Sequence, residues 1–196
     1  MIPCRPCEQP PDFDRRCAEP GRNWLAANPD ARRPHDYWSV FKPQLADAFA
    51  NLCAYSAMYE PVGTVDHFVS WNEDRSKAYE WTNYRFAAGW INSSKSKVPS
   101  HRILDPFEVE EGYFEILLPS LQMVVASGVP RSMRDRCEFV LNRLHLRDDE
   151  RVMRQRREWY RMYQDGELDL EGLEKKAPLI AAAIRKQVAG KPLARL

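Results

Sequence analysis

Apolar side chains recur at helical spacing in several parts of the chain. In "PQLADAFANLC", Leu45, Phe49 and Leu52 stand four and three positions apart, on one face of a helix. Proline is tolerated in a first helical turn, so this helix is predicted to begin at Pro43 and to end near Cys53. Further helices are predicted over "SMRDRCEFVLNRLHL", from about Asp148 to Tyr163 and from about Leu170 to Val188.

Other segments have the composition of β-strands. In "EPVGTVDHFV", the β-forming residues Val65, Phe68 and Val69 surround a polar pair, which predicts a strand with that pair near its end. Two later β-like runs, Tyr113 to Leu117 and Gln122 to Val125, are close enough in sequence to form a small hairpin.

A polar segment, "SWNEDRSKAYE", follows the first strand and is predicted to be a loop. The next segment, "WTNYRFAAGWINSSKSK", has apolar residues at helical spacing, with Thr82 or Asn83 as a possible N-cap. A helix is therefore predicted there, with apolar positions at Tyr84, Ala87, Ala88 and Ile91.

The prolines divide the chain unevenly. Eight of the fifteen lie within the first 43 residues, which predicts an extended arm with few regular elements, held down by Trp24 and Trp38. The predicted organisation is α+β: an N-terminal Pro-rich arm over residues 1–42, a core over 43–108, and a β-hairpin and helical C-terminal region over 109–196.

The amino-acid composition excludes few classes of function. Lysine plus arginine (29) nearly balance aspartate plus glutamate (28), so any phosphate binding must come from a local patch of charge. The beginning of the chain has no apolar leader, and "APLIAAAI" is too short to span a bilayer, which predicts a cytoplasmic protein with no membrane partner. Five scattered cysteines fit a reducing compartment.

The residues from 64 to 95 carry the candidate chemistry. Hydrolysis of a phosphodiester with one divalent cation needs oxygen ligands for the ion and a base for water. Asp66 and Asn92 offer oxygens, and His67 offers the base. Asn83 is placed to hold the loop that carries the histidine, and Lys95, one turn beyond Asn92, can meet a phosphate oxygen.

These residues resemble a known family. The pattern Val65-Asp66-His67-Phe68, then Trp81-x-Asn83, then Asn92-x-x-Lys95 is similar to the HNH, or ββα-metal, nuclease motif. The flanking segments "LCAYSAMYE", "RILDPFEVEEGYFEI" and "VLNRLHLRDDERVMRQRREW" resemble the PtuB-type HNH nucleases of Septu-like bacterial antiphage defence systems. The resemblance runs over roughly residues 51–161, more than half of the chain.

The resemblance implies a ββα-metal core and a metal-dependent endonuclease that hydrolyses DNA. It implies His67 as general base, Asn83 as the residue orienting it, and Asp66 and Asn92 as ligands of one Mg²⁺ or Mn²⁺ ion. It leaves Lys95 as a phosphate or structural contact and implies an ABC-type ATPase as partner in phage defence. His101, just after the motif, is a further candidate for phosphate or metal contact, the alternative being a surface histidine.

The chain departs from the family at its structural zinc site. Relatives often carry two CxxC pairs, whereas the corresponding positions here read Cys53-Ala-Tyr-Ser56 and Ala88-Gly-Trp-Ile91. One cysteine of four cannot form a tetrahedral site, so no structural zinc is expected. Tyr55, Trp90 and Ile91 are expected to fill the space by packing.

Several alternatives stay open on the sequence alone. Asp66 and His67 can be a buried imidazole with a neighbouring carboxylate, and the whole unit can be a catalytically silent HNH-fold subunit that binds or regulates. The same site can instead cleave RNA or tRNA. Ten arginines between positions 131 and 161 can form a duplex-binding or docking face, or they can be solvated.

Overall fold

The computed structural model describes residues 1–189 and confirms the α+β class. Residues 190–196, the end of the predicted C-terminal region, lie outside the described part. The elements are a π-helical segment (Asp14–Ala18), α1 (Glu19–Ala27), α2 (Lys42–Ala48), β1 (Thr64–His67), β2 (Tyr84–Ala87), α3 (Gly89–Lys95), β3 (Phe114–Leu117), β4 (Gln122–Val125), α4 (Arg131–Arg143), α5 (Glu150–Gln164), α6 (Leu170–Lys176) and α7 (Pro178–Ala189).

The four strands form two antiparallel pairs. In the first pair Thr64 lies opposite Ala87 and His67 opposite Tyr84, so β1, β2 and α3 follow one another as a ββα unit. The second pair, β3 with β4, confirms the predicted hairpin. Gly63, just before β1, lies so close to the ring of Phe86 that a Cβ atom there would clash with it.

The prediction of a helix from Thr82 or Asn83 onward was wrong in its first half. Tyr84–Ala87 is strand β2, and the helix begins only at Gly89. All four residues of β2 are buried, because one face of the strand packs on the core and the other is covered by neighbouring segments. Strand β2 is only four residues long, and Tyr84 and Ala87 also continue the helical spacing of Ala88 and Ile91, so periodicity alone does not separate strand from helix over so short a run.

Three further predictions need correction. The helix predicted from Pro43 to near Cys53 ends already at Ala48, and Ala50 and Asn51 have positive φ, which cannot continue a right-handed helix.

The N-terminal arm, predicted to be extended with few regular elements, contains a continuous helical stretch from Asp14 to Ala27; Pro20 lies where the π-helical segment passes into α1. The predicted helix from Leu170 to Val188 is two helices, α6 and α7, separated at Ala177, because a residue before proline avoids the helical conformation.

One hydrophobic core joins the arm to the rest of the described chain. From the arm, the buried ring of Phe13 lies against Tyr84 of β2 and that of Trp38 against His67 of β1, and α4 and α7 pack over the second sheet. Trp38 is almost fully buried and packs on the body, as predicted, whereas the ring of the partly buried Trp24 lies beside His35 within the arm. Among residues 1–189, no helix has the length and apolar character needed to cross a bilayer.

Candidate functional site

A cleft of about 430 Å³ lies between the arm, β1 and the end of α3. Three of the predicted site residues, Asp66, His67 and Asn92, line it together. The remaining lining residues are Arg33, Asp36, Trp38, Ser39, Lys42, Thr64, Val65, Ser70, Trp71, Asn72, Ser93, Ser96 and Lys97. We call this space the central cleft.

Asp66 is held in place by two buried donors. The hydroxyl of Tyr55 donates to Oδ2 over 2.6 Å, and Nζ of Lys95 donates to Oδ1 over 3.0 Å. The ammonium group also donates to the main-chain oxygen of His67 over 2.7 Å. The side chains of Lys95 and Asp66 are only 1% and 2% exposed, so this ion pair is shielded from water on nearly every side.

His67, the neighbour of Asp66 on β1, lines the same cleft but is held by a separate set of contacts. Its Nε2 lies 2.8 Å from the main-chain oxygen of Ala78, and a carbonyl can only accept a hydrogen bond. The neutral ring therefore carries its proton on Nε2 and keeps a lone pair on Nδ1. Trp38, Trp71 and Tyr84 surround the imidazole with ring centroids 4.6 to 5.0 Å away.

This environment sets the charge of the imidazole. Burial, and to a smaller extent the Lys95 ammonium, lower the pKa of His67 from 6.5 to about 4. The hydrogen bond that Nε2 donates to the Ala78 carbonyl and the charges of Asp66 and Asp36 raise the pKa, but burial outweighs them. His67 is therefore neutral at physiological pH and available as a proton acceptor.

The low pKa predicts a measurable pH dependence of stability. In the unfolded chain the imidazole titrates near 6.5, so between pH 6.5 and about 4 the unfolded state binds a proton that the folded state does not. The contribution of His67 is complete above that window and falls by about 3 kcal/mol as the pH drops through it. In metal-free buffer with EDTA, urea unfolding at pH 7 and pH 4.5 should show a larger loss for wild type than for His67→Gln. Equal losses in the two proteins would contradict the assigned pKa.

Asn83 fastens the loop between the two strands of the ββα unit. Its Oδ1 accepts from the main-chain nitrogen of Val69 over 2.8 Å, and its Nδ2 donates to the oxygens of Val69 and Lys77, each over 2.9 Å. The main chain of Asn83 adds a bond from the nitrogen of Phe68. The orienting role predicted for Asn83 thus corresponds to direct anchoring of the residues on either side of the loop, next to His67.

Replacing Asn83 with alanine should destabilise the protein by about 2 to 4 kcal/mol, because three partly buried main-chain groups lose their partner. The matched control is Asn142→Ala, since Asn142 is exposed on α4 and its side chain bonds to no described residue. Urea unfolding of both variants measures the difference. A cost for Asn83→Ala no greater than that of the control would rule out the anchoring role.

Asn92 presents one polar end to the cleft. Its Nδ2 donates to Oγ1 of Thr64 over 3.1 Å and to the oxygen of Val65 over 3.3 Å. The carbonyl of Val65 can only accept, so it fixes the nitrogen on that side of the amide. The Oδ1 atom has no hydrogen-bond partner among residues 1–189 and remains free to bind a cation.

The donor chemistry of Asp66 and Asn92 suits a divalent ion. Magnesium keeps several waters and takes few protein oxygens, so one carboxylate and one amide oxygen suffice. Asp66 accepts one hydrogen bond on each oxygen, whereas a carboxylate has about four acceptor sites, which leaves it capacity for an ion. Among the described residues no group of three histidine, cysteine, aspartate or glutamate side chains is arranged to hold a metal.

The structure does not bring every predicted residue into the cleft. Lys95 lies beneath it, in the ion pair with Asp66, and His101 is exposed in a short helical turn after α3 and does not line it. Sequence reasoning missed the arm residues Trp38, Arg33 and Lys42, because nothing in their local pattern connects them to residues 64–95.

The positions where the resembled nucleases carry cysteines are closely packed in this chain. Cys53 is buried as a free thiol, and its sulfur accepts from the main-chain nitrogen of Ala88 over 3.3 Å. Tyr55 and Ile91 are fully buried, and Trp90 is partly buried against the same core. Tyr55 has a further role that its sequence position did not indicate, which is the hydrogen bond to Asp66.

No protein-family profile matches this chain, and no curated protein has significant sequence similarity to it. A function for the central cleft has to be argued from the motif residues and from their geometry.

Proposed function

We propose that the ββα unit is an HNH nuclease core and that the protein is a metal-dependent endonuclease hydrolysing DNA phosphodiester bonds. The observation that carries the proposal is the meeting of Asp66, His67 and Asn92 in one cleft, with the imidazole neutral and its Nδ1 lone pair free. A base, two oxygen ligands and a space for substrate are the components that such hydrolysis needs.

The chain's own residues account for the proton transfer and its geometry. His67 takes a proton from water onto Nδ1, the water oxygen bonds to phosphorus, and the bond to the leaving sugar oxygen breaks. The Ala78 carbonyl keeps the ring in the required tautomer, and Asn83 holds the adjoining loop. Asp66 and Asn92 would hold the Mg²⁺ or Mn²⁺ ion, which stabilises charge on the phosphoryl and leaving oxygens when bound.

The test is cleavage by the purified chain with Mg²⁺ or Mn²⁺, on supercoiled plasmid DNA and on RNA, with EDTA as the metal-free control. We expect nicked and linear DNA only when a divalent ion is present. If the protein cleaved RNA but not DNA, RNA would be its substrate in place of DNA. No cleavage of either nucleic acid, with or without an ABC-type ATPase partner, would refute the proposal.

The buried Lys95–Asp66 pair favours a second candidate, a catalytically silent HNH-fold subunit. An ammonium group 3.0 Å from the carboxylate already neutralises it, which weakens its attraction for a cation. Metal binding separates the two candidates without reference to activity, because an ion that binds only the folded state raises its stability. Mn²⁺ should raise the melting temperature of wild type but not of Asn92→Ala, with Ser93→Ala as the neighbouring control. No shift in any of these proteins would favour the silent subunit.

A role in antiphage defence beside an ABC-type ATPase is part of the same proposal, and its support is the resemblance of residues 51–161. Affinity purification of the tagged chain from its host, followed by mass spectrometry, tests it. Recovery of an ABC-type ATPase in a fixed ratio is expected. Its absence from complexes isolated under mild conditions would count against this partner.

A further inference from the structure

The wall of the central cleft opposite the ββα unit comes from the N-terminal arm. Arg33, Trp38, Ser39 and Lys42 line that wall, although they precede the motif residues in sequence by more than twenty positions. The guanidinium of Arg33 lies 5.8 Å from the centre of the Trp71 ring, which connects the arm to the loop after β1. The site is therefore built from two separate parts of the chain.

Three cations surround this cleft: Arg33 and Lys42 from the arm, and Lys97 just after α3. Arg33 and Lys97 are exposed and Lys42 is half-buried. None of the three forms a salt bridge with any of residues 1–189. We call them the cationic rim.

The acids in the cleft do not cancel this charge. Asp66 is neutralised by Lys95, and the carboxylate of Asp36 accepts two hydrogen bonds from Ser39, over 2.9 and 2.6 Å. Asp36 forms no ion pair with a described residue, so three free cations face one such carboxylate. The cleft carries the local positive patch that a nearly neutral chain needs to bind phosphate.

The arginines of the C-terminal helices behave differently. Most of them are engaged within the protein, either with acids or with main-chain oxygens, and they offer less free charge than their number implies. Those paired with acids are Arg136, Arg147, Arg151, Arg157 and Arg161, and those bonded to main-chain oxygens are Arg134, Arg136 and Arg156.

The backbone beside Lys97 is held in an unusual conformation. Ser96, the residue that ends α3 and also lines the cleft, has φ 46° and ψ −120°, a region that non-glycine residues rarely adopt. Such strain persists only where the surrounding structure imposes it, and it concentrates at functional sites. The turn at Ser96 brings the chain to Lys97 at the edge of the cleft instead of continuing the helix.

We propose that Arg33, Lys42 and Lys97 bind backbone phosphates of DNA on either side of the scissile bond, so that the arm is part of the substrate site. This inference rests on the proposed nuclease function. It assigns to the arm a direct contact with substrate that the motif residues do not provide.

The experiment measures DNA binding separately from cleavage. Fluorescence anisotropy with a labelled duplex in EDTA, using His67→Ala as the background, reports affinity between 50 and 200 mM salt. The rim variant is Arg33→Ala/Lys42→Ala. The matched control is Arg22→Ala/Arg32→Ala, which removes the same charge from exposed arm positions outside the cleft.

Each lost phosphate contact should reduce the slope of log affinity against log salt by about 0.9 and lower affinity about ten-fold near 0.1 M salt. The rim variant should therefore bind about fifty- to a hundred-fold more weakly, and Lys97→Ala about ten-fold more weakly. The control should retain most of its affinity and its slope. If the rim variant and the control lost DNA affinity equally, the proposed role of the cationic rim would be wrong. It would also be wrong if the protein bound a labelled RNA but not the DNA.

Cleavage assays on proteins that keep His67 distinguish the proposed phosphate contacts of the cationic rim from the proposed nuclease function. If the rim variant binds DNA normally while wild type cuts it, the rim is wrong and the nuclease function stands. If binding depends on the rim but wild type cuts nothing with Mg²⁺ or Mn²⁺, the nuclease function is wrong and the DNA contact stands.

Discussion

Replacing His67 with alanine is expected to slow DNA cleavage about a hundred- to ten-thousand-fold, the usual contribution of a general base. The imidazole is the one buried histidine among residues 1–189, and it alone of their histidines lines the central cleft. Without it, no neutral base with a free lone pair faces the space where an attacking water would lie. The rate of plasmid nicking at saturating Mg²⁺ or Mn²⁺ measures the effect.

The matched control is His145→Asn. His145 is exposed at the end of α4 and has a positive φ of 55°, a conformation that asparagine tolerates well. It should cut DNA at the wild-type rate. DNA affinity of His67→Ala, measured by anisotropy, should stay close to wild type, which separates loss of chemistry from loss of binding. Equal cleavage by wild type and His67→Ala would end the case for this histidine as the base.

Replacing Lys95 with methionine is expected to cost about 3 to 5 kcal/mol of unfolding free energy. The change keeps the length of the side chain but removes the positive charge that lies 3.0 Å from Asp66 in a nearly closed environment. Asp66 would then be a buried carboxylate with Tyr55 as its only side-chain donor among the described residues. Urea unfolding at neutral pH in metal-free buffer gives the measurement.

Two further variants make the test specific to the ion pair. Lys97→Met removes a charge two positions later from an exposed side chain, so it should change stability by less than about 0.5 kcal/mol. The double variant Asp66→Asn/Lys95→Met leaves no unpaired buried charge and should recover part of the loss. A cost for Lys95→Met no larger than that of Lys97→Met would exclude the pair as a major support of the site.

The fold was predictable where local pattern is unambiguous. The strand at residues 64–67, the β3–β4 hairpin and helix α4 follow from alternation and helical spacing that neighbouring residues already display. Strand β2 was not, because four residues are too few to separate alternation from the helical spacing that Tyr84 and Ala87 share with Ala88 and Ile91. The break between α6 and α7 was available in the sequence, since Pro178 indicates it.

The candidate site was predictable as a set of residues but not as an arrangement. The side-chain types and spacing of Asp66, His67, Asn83 and Asn92 were sufficient to single them out. The contacts of these residues were not predictable, because a hydrogen bond such as the one from Lys95 to Asp66 joins residues 29 positions apart. Spacing along a helix suggested that Lys95 faces phosphate, whereas packing turned it inward to the carboxylate.

The sequence by itself determined which chemical groups the candidate site has and on which short segments they lie, since side-chain chemistry and local backbone preference are properties of neighbouring residues. Tertiary structure decided which groups are buried, charged or free. It brought Trp38 of the arm against the His67 ring and lowered the pKa of that imidazole to about 4 by burial. It also gathered Arg33, Lys42 and Lys97 around one cleft, because distant segments meet only when the core that joins them is packed.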